Sequence, residues 1–168
     1  VSSIESDSLS YPSGALVSVT LILTVPGLLL VGVIVIASNF PVVPELWIVV
    51  FDIESTSLVV GNAKIVELCL IKVMPDGSEI EKLYRINPEQ HIPEETTEIH
   101  GITDKDVENC PTFAQLASEL MNFIGNSDLC CYNSNKFDVP LLVEEFLRAG
   151  VDFSLHNRRI VDVQNIFH

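Results

Sequence analysis

The sequence predicts an α/β domain with a mixed sheet, and three observations support this class. Three apolar segments, rich in β-branched residues and separated by short turns, follow one another between residues 46 and 86. Segments with helical periodicity then alternate with short apolar segments as far as residue 162. An antiparallel meander followed by alternating helices and strands places helices on the faces of one mixed sheet.

The meander consists of three predicted strands, at residues 46–53, 64–73 and 79–86. The first is a run of Leu, Trp, Ile, Val and Phe, which is typical of a buried strand. Between the second and third strands, the Pro-Asp-Gly-Ser sequence at 75–78 is a strong turn signal. These three segments therefore predict an antiparallel unit at the start of the domain.

Two helices are predicted next. The first begins at Pro93, because Pro and the acidic residues that follow it suit the first turn, and it ends at Gly101. Thr112 and Gln115 form a capping box for the second, whose apolar residues repeat at helical spacing until Gly125.

The remaining elements alternate between strand and helix. Residues 128–132 predict a strand, residues 140–149 predict a helix that Gly150 ends, and residues 159–162 predict a fifth strand. This alternation completes the α/β pattern.

Residues 1–44 form a separate apolar N-terminal segment, with no charged residue from position 14 to 44. One interpretation is a transmembrane helix over residues 15–37, because this length is enough to cross a hydrocarbon core of about 30 Å, and it would bring the protein into contact with a membrane. A second is a β-hairpin with arms at 17–25 and 28–36, because the first arm alternates and Pro-Gly follows it. A third is a sequence that is not native to the domain. The domain itself is assigned to residues 45–168.

Charge and cysteine usage exclude some classes of protein. The net charge of −14 argues against a broad basic face for nucleic acid, since phosphates are bound mainly by Lys and Arg. The four cysteines, Cys69, Cys110, Cys130 and Cys131, lack the spacing of a zinc site. We interpret them as reduced thiols of a cytoplasmic domain, with membrane association if the N-terminal segment is native.

Acidic residues lie at or just after the ends of two predicted strands. Asp52 and Glu54 point to the same face of the first strand, because strand side chains repeat with period two. Asp138 lies between the fourth strand and the helix that follows it. Unpaired buried charge is costly, so these carboxylates indicate a bound cation. Three oxygen ligands suit Mg²⁺ or Mn²⁺ better than zinc.

These segments resemble the motifs of a known family, the DEDD-type 3′-5′ exonucleases, in its proofreading-subunit-like group. Residues 51–56 (Phe-Asp-Ile-Glu-Ser-Thr) resemble the first motif, and residues 98–103 (Glu-Ile-His-Gly-Ile-Thr) resemble the segment before the second. Residues 132–138 (Tyr-Asn-Ser-Asn-Lys-Phe-Asp) resemble the second motif, usually His-Asn-x-x-Phe-Asp. The Tyr and the extra residue bring it closer to the variant in bacterial exonuclease I. The resemblance implies an RNase H-like fold from about residue 46 onward.

The resemblance also implies an activity, a cofactor and a site. The family hydrolyses 3′-terminal phosphodiesters with two Mg²⁺ or Mn²⁺ ions, which here implies single-stranded DNA, in preference to RNA, and a polymerase or repair partner. Asp52, Glu54 and Asp138 would be the catalytic metal ligands. The implied substrate-binding residues are Ile53, Ser55, Thr56, Ser57, Leu58, His100, Asn133 and Phe137.

The chain also departs from the family pattern. The family has a third motif, in which a His or Tyr is followed four or five residues later by a fourth carboxylate, and no such pair follows Asp138 here. Ser57 stands where the family usually has Gly. We therefore expect the domain to be incomplete at its C-terminal end and to be weak or inactive. The alternative function is a nucleic-acid-binding or membrane-tethered interaction module, against which the three retained carboxylates argue.

Overall fold

The computed structural model describes residues 9–10, 16–23, 31–36, 47–132, 136–162 and 164. These ranges contain eight strands and four helices. The strands are β1 (Leu9–Ser10), β2 (Leu16–Leu23), β3 (Val31–Ile36), β4 (Ile48–Ser55), β5 (Ile65–Val73), β6 (Glu79–Arg85), β7 (Asp128–Cys131) and β8 (Ile160–Asp162). The helices are α1 (Glu94–His100), α2 (Asp104–Val107), α3 (Phe113–Ile124) and α4 (Asp138–Arg148).

The larger sheet contains five strands in the order β6-β5-β4-β7-β8. Strands β4, β7 and β8 run parallel, whereas β5 is antiparallel to both β4 and β6. The chain builds the meander first and then crosses over through α3 and α4 to add the two parallel strands. This mixed sheet confirms the predicted α/β class. Strand β4 continues two residues further than predicted, because its pairing with β5 extends to Ser55 through a bulge after Glu54.

The main core lies between the sheet and helices α3 and α4. In α3 the buried residues Phe113, Ala117, Leu120 and Ile124 recur at the predicted helical spacing. In α4, Phe146 is fully buried. Its ring meets Phe113 edge-on, with centroids 5.1 Å apart, and stacks on Phe153 at 4.5 Å. Burial of these apolar side chains is the main stabilising contribution to the domain.

Two helical features differ from the prediction. Helix α4 begins at Asp138, two residues before the predicted start at Pro140. Proline is tolerated there because the N–H groups of the first turn have no intrahelical partner. Helix α2, which was not predicted, is only four residues long, and a capping box of Thr103 and Asp106 begins it. A small cluster made of Val66, Ile92, Ile102 and Val107 packs the α1–α2 segment against β5.

The described part of the N-terminal segment is β-structure. Strands β1, β2 and β3 form an antiparallel sheet, in which Ser18 pairs with Ile36 and Leu23 with Val31. The transmembrane-helix interpretation of residues 15–37 is therefore wrong for these strands, whose β-branched residues favour extended backbone. No helix in the described ranges has the length and hydropathy to cross a membrane. The rest of residues 1–46 lies outside the described residues.

The cap of α3 gives a first prediction. The Thr112 hydroxyl accepts a hydrogen bond from the Gln115 N–H, and the Gln115 side chain accepts one from the Thr112 N–H. We expect Thr112→Ala to lower the free energy of unfolding by about 1 kcal/mol, the usual effect of losing such a cap. Urea unfolding measures this. Thr112→Ser, which keeps the hydroxyl, serves as the control, and equal losses in both variants would contradict the role of the cap.

Candidate active site

Asp52 and Glu54 lie on β4, beyond the point where its parallel neighbour stops pairing. Strand β4 pairs with β7 as far as Val50 and then continues along β5 to Ser55. The two acidic side chains share one face of the sheet, as predicted, and both are half-buried. Ile53 lies between them on the opposite face and is part of the main core. Any contact of Ile53 with substrate would therefore be made by its backbone.

Asp138 brings a third carboxylate into the same neighbourhood. It is the first residue of α4, shortly after β7 ends. Burial, and then the negative charge of Asp52, raises the pKa of Asp138 to about 6. Burial, and then the charges of Asp52, Glu67 and Asp138, raises the pKa of Glu54 to about 7. The pKa of Asp52 is also raised, mainly by burial. The fold thus holds like charges together at a cost in free energy that a bound cation would offset.

The carboxylates are neighbours, but they do not form a closed cage. Within the part of the chain that the structure describes, no three Asp, Glu, His or Cys side chains converge closely enough to hold one ion. Charges perturb one another over longer distances than the roughly 2.0–2.1 Å of a magnesium–oxygen bond. The effect of Asp52 on the pKa values of Glu54 and Asp138 therefore reports proximity and not ligation. Asn133, which was predicted to bind substrate, lies outside the described residues.

The loop after β4 is held by its own hydrogen bonds. Thr56 is only 2% exposed, and its hydroxyl accepts a hydrogen bond from Gln90 Nε2 at 2.6 Å. Ser55 is also buried, and its Oγ donates to the Ser57 carbonyl at 2.9 Å. In contrast, Leu58 is 77% exposed and Ser57 is half-buried. Of these four predicted substrate-binding residues, Ser57 and Leu58 present side chains to solvent.

His100 and Phe137 are both engaged inside the protein. The Ile102 N–H donates to His100 Nδ1 at 3.0 Å, so the proton of the neutral ring is on Nε2. His100 Nε2 is buried, and burial lowers the pKa of the ring, although the neighbouring Ser55 backbone partly offsets this effect. Phe137 is half-buried and packs against the main core. The contacts of His100 Nδ1 and Phe137 are therefore structural.

Two charged residues beside the carboxylates were not predicted from the sequence. Glu67 lies opposite Glu54 on β5, and Arg85 lies opposite Glu67 on β6. Arg85 Nε donates to Glu67 Oε2 at 2.5 Å. Alternation along β5 and β6 predicts the face of each residue but not its partner, because the partner depends on the strand register.

A second unpredicted group, the Arg148 cluster, consists of Arg148, Glu145 and Lys64. Glu145 is 3% exposed, and its Oε1 lies 2.6 Å from Arg148 Nη1 and 3.3 Å from Lys64 Nζ. The guanidinium also donates to the carbonyls of Gly61 and Ala63, at 3.0 and 2.7 Å. This cluster fastens the loop after β4 to the C-terminal end of α4.

Comparison with known proteins places this chain in a family. The chain is 32% identical over 124 residues to the DNA polymerase III subunit epsilon of Buchnera aphidicola. That alignment covers 70% of this chain and 50% of the relative. It is 34% identical over 103 residues to the PolC-type DNA polymerase III of Clostridium perfringens, and this alignment covers 61% of this chain and 7% of the relative. The chain thus spans half or less of these relatives.

Solved structures of exonuclease I share the fold. The structure of its complex with the SSB C-terminus aligns with 73% of this chain and 29% of that one, with a TM-score of 0.65 and 15% identity. This likeness confirms the RNase H-like fold. A family model described as "Exonuclease" matches residues 49–165. Because that match spans more than half of the 168 residues, the chain belongs to this exonuclease family.

Proposed function

We propose that this chain is the catalytic domain of a metal-dependent 3′-5′ exonuclease that removes nucleotides from the 3′ ends of single-stranded DNA. The observation that carries the proposal is the grouping of Asp52, Glu54 and Asp138, in which burial and the charge of Asp52 raise the pKa values of Glu54 and Asp138. Family membership and the order of the motifs support the same reaction. The relatives that are polymerase III subunits suggest proofreading or repair beside a polymerase.

The donor set fits Mg²⁺ or Mn²⁺. Carboxylate oxygens are the ligands that these cations prefer, and burial together with the neighbouring charge of Asp52 raises the pKa values of Glu54 and Asp138. We assign Asp52, Glu54 and Asp138 as the groups that would hold two ions. The ions, when bound, would activate water and stabilise charge on the phosphate that is cleaved.

The chain's own residues would position the end of the strand. Ser57 and Leu58 follow Glu54 in a loop that internal hydrogen bonds and the Arg148 cluster hold in place. The exposed Leu58 side chain suits contact with the apolar face of a terminal base, and the backbone of this loop suits contact with its sugar. A single-stranded substrate is supported by solved complexes of exonuclease I with dA16 and dT13 oligonucleotides.

One observation favours a second candidate, a nucleic-acid-binding module with little activity. No His or Tyr after Asp138 is followed four or five residues later by an acidic residue, so these 168 residues lack a match to the family's third motif. We therefore expect slow hydrolysis by this chain and use metal binding as the main measurement. A module without metal chemistry would show no carboxylate-dependent affinity for Mn²⁺.

The experiment combines calorimetric titration of Mn²⁺ with shortening of a 5′-labelled single-stranded oligonucleotide. We expect Mn²⁺ binding, and a slow ladder of products that shorten from the 3′ end and disappear with a chelator. A phosphorothioate at the 3′-terminal linkage should slow the first step. Mn²⁺ binding without any shortening would favour the binding module, and an absence of Mn²⁺ binding would overturn the metal centre.

A further inference from the structure

Arg85 lies in a row of charged residues that crosses the sheet from the carboxylates. Residues that face each other on neighbouring strands point to the same side of the sheet, so Glu54, Glu67 and Arg85 share one face. Neighbouring strands are about 4.8 Å apart, which places the Arg85 backbone about 10 Å from that of Glu54. The long Arg85 side chain extends over the space between them.

The Arg85 guanidinium is only partly used within the protein. The Arg85 side chain is 42% exposed, and among the described residues it makes one hydrogen bond, from Nε to Glu67. Its two terminal NH₂ groups thus present a planar pair of donors, the arrangement that binds phosphate oxygens well. Since Glu67 holds the side chain in place, less conformational entropy would be lost on binding.

Three other basic residues, Lys64, Lys82 and Arg148, are less available than Arg85. Lys64 and Arg148 are bound to the buried Glu145, and Arg148 also donates to backbone carbonyls. Lys82 pairs with Glu119 on α3. In a chain of net charge −14, an incoming phosphate backbone would therefore meet few free cations. Arg85 is a cation on the face that carries Asp52 and Glu54.

We propose that Arg85 binds a backbone phosphate of the nucleic-acid strand, a few nucleotides inward from the 3′ end that lies at the carboxylates. The spacing is suitable for a phosphate inward from the scissile one, because the Arg85 backbone lies two strands, about 10 Å, from that of Glu54. This inference rests on the proposed exonuclease function and adds a substrate-binding residue to it. Glu67 is the positioning residue that aims the guanidinium.

The test compares Arg85→Gln with Arg159→Gln as a matched control. Arg159 is also exposed and also donates through Nε to an acidic residue, Asp128, but Asp128 lies at the start of β7, away from the carboxylates. Fluorescence anisotropy would measure affinity for a labelled single-stranded oligonucleotide with phosphorothioate 3′ linkages, in Mn²⁺, from low to moderate salt. Calorimetry would measure Mn²⁺ affinity without the oligonucleotide.

We expect Arg85→Gln to weaken oligonucleotide binding about tenfold, the scale of a hydrogen bond to a charged group. It should also reduce the slope of log affinity against log salt by about 0.7, the value for one phosphate of a single strand. Mn²⁺ affinity should stay the same or rise, because a positive charge near Glu54 is lost. Glu67→Gln should leave the salt slope intact. Arg159→Gln should change none of these quantities.

The outcomes separate the inference from the function on which it rests. If the wild-type protein binds Mn²⁺ and oligonucleotide, and Arg85→Gln behaves like Arg159→Gln, Arg85 does not contact phosphate and only this inference is overturned. A fall in Mn²⁺ affinity together with oligonucleotide affinity would show a structural role and also overturn it. If the wild-type protein binds neither, the proposed function itself fails.

Discussion

Replacing Glu54 with glutamine is expected to lower Mn²⁺ affinity by more than about 100-fold, because even residues that only support metal ligands contribute about 10–100-fold. The same substitution is expected to stabilise the metal-free protein at pH 8. The two effects have opposite signs because the glutamate that would hold the cation is, without the cation, a source of repulsion. Its negative charge lies among those of Asp52, Glu67 and Asp138.

The sign of the pH dependence follows from the direction of the pKa shifts. Burial and neighbouring charge raise the pKa of Glu54 from 4.5 to about 7, so the folded state binds this proton more tightly than the unfolded state does. The contribution of this proton to the free energy of unfolding is fully present below pH 4.5 and is lost as the pH rises through 7. Asp138, whose pKa is raised from 3.8 to about 6, acts in the same direction over a lower range. In the metal-free wild-type protein, the repulsion among these carboxylates is therefore strongest above pH 7.

Thermal unfolding at pH 5 and pH 8, with and without Mn²⁺, measures these effects. At pH 8 without metal, Glu54→Gln should unfold at a temperature higher by a few degrees, on the scale expected for a domain of this size. At pH 5 the difference in unfolding temperature between the variant and the wild type should be smaller, since wild-type Glu54 is then mostly protonated. Mn²⁺ at pH 8 should raise the unfolding temperature of the wild type and not that of the variant.

A matched control is Glu79→Gln, at the exposed start of β6 and at the other end of that strand from Arg85. We expect it to leave both Mn²⁺ affinity and the pH dependence unchanged. A Glu54→Gln variant that is less stable than the wild type at pH 8 without metal would contradict the repulsion. Equal Mn²⁺ affinity in the two proteins would remove Glu54 from the metal centre.

The sequence predicts this fold well where the pattern is local. Strand β4 is recognisable because its apolar residues are contiguous, and the shared face of Asp52 and Glu54 follows from the period of a strand. The capping box at Thr112 marks the start of α3, and the structure has the same bond pair. Helix α2 carried a comparable signal, at Thr103 and Asp106, but four residues are too few to show helical periodicity.

The charged surroundings of the site could not be predicted in the same way. Glu67 and Arg85 come next to Glu54 through strand register, which alternation leaves undetermined. The contact of Arg148 with Ala63 joins residues 85 positions apart, and no local pattern connects them. The family resemblance implied that Thr56 binds substrate, but its side chain is buried and its hydroxyl accepts a hydrogen bond from Gln90, which is 34 positions away.

The Arg148 cluster leads to the largest stability effect that we expect from a charged residue. Glu145 is 3% exposed, so removing Arg148 would leave a buried carboxylate with Lys64 as its remaining cation. Breaking a buried pair from one side costs about 3–5 kcal/mol, and the contact with Lys64 places Arg148→Ala near the lower end. The carbonyls of Gly61 and Ala63 would also lose their donors.

Urea unfolding of a double-mutant cycle measures this coupling. Arg148→Met and Glu145→Leu should each destabilise the protein strongly, whereas the double variant should recover much of the loss, because no buried charge of this pair is left unpaired. Arg148→Lys should be intermediate, since it keeps the charge but lacks the fork that reaches both the carboxylate and the carbonyls. A loss below about 1 kcal/mol for Arg148→Met would match an ordinary surface pair and contradict this role.

The same cycle tests whether the cluster matters to the site. The loop that Arg148 holds begins directly after Glu54 and carries Ser57 and Leu58. Loosening the loop should raise the KM for an oligonucleotide more than it lowers kcat, because Asp52 and Glu54 are held on β4 by its pairing with β5. A change in stability alone, with unchanged KM in conditions where every variant is folded, would limit the cluster to supporting the fold. A rise in KM that Arg148→Lys partly reverses would show that the far end of α4 positions the loop beside the carboxylates.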